Sequence, residues 1–262
     1  MFRYFLKTFY TIKTTFFSCF FLMSQIKNAC LRCELSYSSD VVEDIWKTQT
    51  NPIFKDVTTR PFVISTAMEK IGFVMVKDDV CYITFKGTTN LTDFTCDINF
   101  DLEEIKLGDV TCKVHKGVFH RSVILYEQIK SFISSSEKIE VSGHSLGGAI
   151  ATMISAFIKT EFNTKFVSLI TFGCIRTGDA KFADYIDKNI NEKYRIIVHS
   201  DPIPEFPYKK EFKHCLPSIE YYKKNDFKIK YRDTFWLFRK RLFFWNLCHV
   251  KNHMLNTYIM ML

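Results

Sequence analysis

Several signatures are missing from this 262-residue chain, and each absence narrows what it can be. There is no zinc-finger or RNP-type motif to accompany its formal net charge of +8. Nucleic acid is therefore not expected as the anionic partner, which leaves an anionic lipid interface. Cys30-x-x-Cys33 has no second pair and no histidine tract beside it, so no metal site is expected. No internal repeat and no long linker divides the chain, so a single domain with an N-terminal extension is expected. No apolar run is long enough for a comfortable transmembrane helix; the run at residues 16–23 is too short.

What is present reads as globular. Hydrophobic residues make up 47% and charged residues 24% of the chain, enough apolar surface for a sizeable core. The 27 phenylalanines fit either codon bias in an AT-rich genome or lipid contact. Nine cysteines is an odd number, so at least one is free or paired between chains. Cys81, within an apolar run, and Cys174, just after another, read as small buried hydrophobes. This usage leans towards a reducing compartment, whereas the N-terminus points elsewhere. Arg3, Lys7 and Lys13 precede the apolar run, as in a signal peptide, but no small-x-small cleavage site follows. Phe2, Phe5, Leu6, Phe9, Ile12 and Phe16 also fall at helical spacing, as in an interfacial helix. Signal peptide, membrane-surface anchor and ordinary packed helix stay open for residues 1–33. Residues 34–262 are the expected globular domain. A secreted or membrane-associated location is expected, with a cytoplasmic one still open.

Hydrophobic patterning predicts a helix over residues 35–46, strands over 71–76 and 80–85 around an Asp78-Asp79 turn, and a strand over 110–115. It further predicts helices over 118–132 and 179–190, and strands over 166–172 and 194–199. Alternating strands and helices indicate an α/β protein with a mostly parallel central sheet flanked by helices.

Gly143-His144-Ser145-Leu146-Gly147 has the form G-x-S-x-G. It lies between a strand-like run and a helix-like run, the setting a nucleophile elbow requires. Glycines two residues either side of the serine keep the tight turn free of colliding side chains. A serine hydroxyl needs a base, and the base needs an orienting acid. The α/β-hydrolase chain order of serine, acid, histidine leaves His214, His249 and His253 as bases. Asp201, directly after a strand, is the best acid; Asp179 is the runner-up but reads as a helix N-cap. His253 is the best base, followed by His249, four residues earlier, and then His214.

At this point the chain resembles the class 3 (fungal-type) lipases of the α/β-hydrolase superfamily, from about Leu35 to the C-terminus. Ser36-Tyr37 resembles the family's opening helix, and Phe85-Lys86-Gly87-Thr88 its F-R-G-T/S block. Val114-His115-Lys116-Gly117-Val118-Phe119 is similar to V-H-x-G-F. Thr171-Phe172-Gly173-Cys174-Ile175-Arg176-Thr177-Gly178-Asp179 is similar to T-F-G-x-P-R-x-G-[DN], with Ile175 where proline is usual. Residues 194–204 resemble the block of the catalytic acid, and Asn252-His253 with Tyr258 the C-terminal histidine block, at an uncommon spacing. The resemblance implies an α/β-hydrolase fold and hydrolysis of glycerolipid acyl esters through an acyl-enzyme, without a cofactor. It implies Ser145 as nucleophile, His253 as base and Asp201 as orienting acid. The backbone N–H groups of Thr88 and Leu146 would form the oxyanion hole. Leu91 and Phe94 would belong to a lid that meets lipid ester substrate at a membrane or droplet interface. Phospholipase A1 activity and a catalytically silent lipid-binding protein are the alternatives. The basic aromatic residues between 221 and 245 suit a bilayer headgroup region or a solvated face.

Overall fold

The computed structural model describes residues 22–88, 101–230 and 250–262, apart from residues 39, 216 and 225. Helices α1 (22–37) and α2 (Val42–Thr48) come first. Strands β1 (Phe62–Ser65), β2 (Lys70–Lys77) and β3 (Val80–Phe85) follow, then β4 (Leu102–Leu107) and β5 (Val110–His115). Next come α3 (Lys116–Ser134), β6 (Lys138–His144), α4 (Leu146–Glu161), β7 (Phe166–Phe172), α5 (Ala180–Asn189) and β8 (Glu192–Val198). Strands β9 (Ser218–Lys223) and β10 (Asp226–Lys230) and helix α6 (Leu255–Met261) complete the chain.

Eight strands form one sheet in the order β1-β2-β3-β6-β7-β8-β9-β10. Its middle, β3 to β9, is parallel; β1, β2 and β10 run antiparallel at the edges. Strands β4 and β5 make a separate two-stranded ladder. The strand expected at 110–115 therefore lies outside the main sheet. Its partner β4 went unread because Glu103, Glu104 and Lys106 interrupt its apolar positions.

The apolar runs in β6 and β7 are explained by burial on both faces. Ile139, Val141, Val167 and Leu169 point to one core with α3, α4 and α5. Ile170 and Phe172 point to the other, which α1 and α6 close with Ile26, Ala29, Cys30, Cys33, Leu255 and Tyr258. This second face also carries polar groups. Arg32 of α1 forms a buried ion pair with Glu140 of β6, and Gln25 donates to Glu140 (3.2 Å) and to Ser168 of β7 (3.4 Å).

Two sequence expectations change here. The helix expected over 35–46 is two helices broken at residues 38–41, where Ser38 and Val41 N–H bond back in turns. The expected boundary between residues 33 and 34 falls inside α1, whose Ile26, Ala29, Cys30 and Cys33 are fully buried. Cys81 and Cys174 are buried free thiols, as are Cys30, Cys33 and Cys112. Among the described residues no helix is long and apolar enough to cross a membrane.

Removing one partner of a buried ion pair leaves the other charge stranded. Arg32→Ala is therefore expected to lower the unfolding free energy by about 3–5 kcal/mol in urea titrations. Arg32→Met combined with Glu140→Leu is expected to recover most of that loss.

Candidate active site

The C-terminal ends of β3, β6, β7 and β8 lie side by side, and Thr88, Ser145, Gly173 and Asp201 follow them. Ligand and catalytic groups in open α/β sheets gather at this edge because successive crossovers return the chain there. Ser145 sits between the end of β6 and the start of α4 with φ 57° and ψ −125°, outside the comfortable regions for a side-chain-bearing residue. Its N–H donates to Phe172 O at the end of β7 (2.9 Å). The tight turn is possible because its flanking residues lack side chains. A Cβ on Gly143 would stand 2.2 Å from Gly147 O, and one on Gly147 2.3 Å from Lys86 O.

Asp201 follows β8 and is buried. Its Oδ1 accepts Ile203 N–H (2.9 Å), and its Oδ2 accepts His253 Nδ1–H (2.7 Å) and the Tyr258 hydroxyl. Burial and the Asp201 charge push the Tyr258 hydroxyl well above its ordinary pKa, so it remains a donor. His253 ends a short 3-10 turn, Val250–His253, ahead of α6, and is fully buried. Gly173 after β7 takes φ 55° and leaves the space that Asp201 and His253 fill; a Cβ there would meet Asp201 Oδ2 and His253 Cε1, each at 2.8 Å.

Two buried atoms at this centre lack a hydrogen-bond partner: Ser145 Oγ and His253 Nε2. An unpaired buried polar atom costs about 1–3 kcal/mol and calls for an explanation other than stability.

The other candidates sort clearly. Thr88 lies half-buried after β3, and the adjoining Gly87 presses on the elbow: a Cβ there would stand 2.7 Å from Ser145 Cβ. Leu146 opens α4 directly after Ser145. Asp179 is the N-cap of α5, its side chain accepting Phe182 N–H (2.9 Å). His214 is buried and donates from Nε2 to Pro204 O (2.6 Å), which commits it elsewhere. His249, Leu91 and Phe94 lie outside the described residues, as does most of the basic aromatic stretch. Sequence reasoning assigned no role to Tyr37, His144, Gly173 or Tyr258. The available signal for Tyr258 was its place five residues after His253.

Residues 82–211 match the sequence profile of the family described as Lipase (class 3). The matched stretch, just under half of the chain, contains Thr88, Ser145 and Asp201. A secreted mono- and diacylglycerol lipase of Fusarium solani is 29% identical over 131 residues, covering 48% of this chain and 38% of that protein. The chain thus spans well under half the length of this curated relative. Among solved structures, a lipase from Rhizopus microsporus var. chinensis superposes with a TM-score of 0.66 at 22% identity, covering 80% of this chain and 79% of the other. A triacylglycerol lipase whose catalytic centre is formed by a serine protease triad gives 0.60 at 22% identity, covering 79% and 83%. These likenesses establish the α/β-hydrolase fold of the class 3 lipases.

Burial holds three histidines below their ordinary pKa of 6.5: His115 at about 4, and His144 and His214 well below 6.5. All three are neutral in the fold, and the unfolded chain takes up their protons first. Stability is therefore unaffected above about pH 6.5 and falls as pH drops below it, by up to about 1.4 kcal/mol per pH unit for each histidine. Urea midpoints measured between pH 7.5 and 4.5 should show this slope, and His214→Gln should flatten it. Tyr258→Phe, which removes a donor to a buried carboxylate, should lower stability by about 1.5–3 kcal/mol at neutral pH.

Proposed function

We propose that the chain is a serine hydrolase that cleaves carboxylic acyl esters of glycerolipids through an acyl-enzyme. One observation carries the reading. Ser145 Oγ and His253 Nε2 are buried and unpartnered at one centre, and His253 is fixed through Nδ1 to the buried Asp201 carboxylate. These two atoms are the ones between which a proton would pass. The match to the class 3 lipases supports an ester as target, and the mono-, di- and triacylglycerol lipases among the similar proteins support a glycerolipid.

In this reading Ser145 Oγ attacks the ester carbonyl while its proton moves to His253 Nε2. The Asp201 carboxylate holds the proton-bearing Nδ1 and stabilises the imidazolium that results. The backbone N–H groups of Thr88 and Leu146 receive the developing oxyanion; one such donor is worth about 3–4 kcal/mol. Both follow strand ends that the sheet fixes, so they need not reorganise as charge develops. His253 then protonates the leaving alcohol, and water hydrolyses the acyl-enzyme by the same route reversed. Leu91 and Phe94 would meet substrate at a membrane or droplet surface. The secreted relative and the basic charge support action outside the cell or on an anionic lipid face.

A fluorophosphonate probe should label the wild-type protein at Ser145. Ser145→Ala should abolish labelling and lower ester hydrolysis by roughly 10⁴-fold or more. Release of fatty acid from mono-, di- and triacylglycerol should exceed release from phosphatidylcholine. A folded protein that neither labels nor hydrolyses any of these lipids would refute the proposal.

A further inference from the structure

A second polar chain runs behind the proposed triad, and it starts on α1. The Tyr37 hydroxyl lies 2.7 Å from His144 Nδ1 and 3.0 Å from the Gly87 N–H. The other ring nitrogen of His144, Nε2, lies 2.7 Å from His253 O. The protons can be assigned from valence alone. A carbonyl oxygen only accepts, so Nε2 carries the proton and donates to it. The neutral ring then has its lone pair at Nδ1, which accepts the Tyr37 O–H. The Tyr37 oxygen in turn accepts the Gly87 N–H. The opposite tautomer would set the Nε2 lone pair against the carbonyl oxygen of His253. A protonated ring would place a cation against His253, onto which His144 is stacked with ring centroids 4.6 Å apart. Burial, followed by the neighbouring His253, holds the His144 pKa down, and burial pushes the Tyr37 hydroxyl up, so both keep the protons just assigned.

Every bond in this chain joins a different part of the site. Gly87 belongs to the loop of the proposed oxyanion donor Thr88. His144 is the residue before Ser145, and His253 is the proposed base. Tyr37 ends the helix that Arg32 and Gln25 fasten to β6 and β7. We propose that Tyr37 and His144 are positioning residues: their hydrogen-bonded chain sets the oxyanion loop, the nucleophile elbow and the His253 backbone in one register. The proposal rests on the reading of Ser145, Asp201 and His253 as the triad. Misplacing such groups by about 1 Å can cost about 100-fold in rate without weakening substrate binding.

The test uses the full chain, a soluble short-chain p-nitrophenyl ester, and the rate of fluorophosphonate labelling. Tyr37→Phe removes one oxygen and keeps the ring. It should lower kcat and the labelling rate together, by about 10- to 100-fold, with KM within about twofold of wild type. His144→Gln keeps an amide N–H for the His253 carbonyl and should retain about tenfold more activity than His144→Phe, which keeps neither bond. Because the residues act as one chain, Tyr37→Phe combined with His144→Phe should be no slower than His144→Phe alone. Tyr37→Phe with wild-type kcat would overturn the proposal, as would equal losses in the two His144 variants or effects that multiply. If His144→Phe does not fold, the Tyr37→Phe split between kcat and KM decides. Labelling of wild type but not of Ser145→Ala, with Tyr37→Phe unaffected, would remove this proposal and leave the triad standing. A wild-type protein that neither labels nor hydrolyses would remove both.

Discussion

The rest of the site depends on one constrained residue, Ser145, whose positive φ turns β6 abruptly into α4. Such a conformation costs about 1–3 kcal/mol for a residue with a side chain and persists only where the surroundings over-determine it. Here they do. Gly143 and Gly147 let the two arms of the turn close to within a distance no side chain tolerates. The N–H of Ser145 is anchored on β7, and the loop after β3 presses from the other side. Three neighbouring strands thus hold the serine, and two of them, β6 and β7, are buried along nearly their whole length.

The two faces of that sheet have different tasks. The face under α3, α4 and α5 carries the larger apolar cluster and supplies cohesion. The face under α1 and α6 mixes apolar packing with a buried ion pair, hydrogen-bonded tyrosines and stacked histidines. Polar groups in a low-dielectric interior have few alternative arrangements, since a lost partner goes unreplaced by water. That face accordingly fixes orientation, and it is the face on which Tyr37, His144, Tyr258 and Asp201 meet.

What the sequence made legible followed from local signals. The parallel strands read as continuous apolar runs, and the elbow announced itself through glycine spacing. Chain order narrowed the bases to His214, His249 and His253, and the place of Asp201 directly after a strand marked the acid; the fold brings Asp201 and His253 into contact. The missed features all depend on distant partners. Residues 1–33 left leader, anchor and packed helix all open, because the commitment of α1 to the core is made by Glu140 and Ser168, more than a hundred residues away. Tyr37 and His144 looked like ordinary members of their motifs, since the bond they share joins residues more than a hundred positions apart. The break at residues 38–41 carries no proline or glycine, and only the turn hydrogen bonds of Ser38 and Val41 reveal it. Strand β4, rich in charge, became recognisable only beside β5.

The docking of α1 also sets an order of events during synthesis. The helix is made before any strand it will touch, and the groups that fasten it lie on β6 and β7. Until those strands have paired, Arg32 has no carboxylate to meet, and the buried cysteines of the helix remain exposed to their surroundings. Contacts of such wide sequence separation close late, because the intervening loop entropy must be overcome first. This helix, the first among the described residues, is therefore expected to join the fold late. Tyr37 arrives with it, so the site reaches its final geometry only when the N-terminal helix comes home.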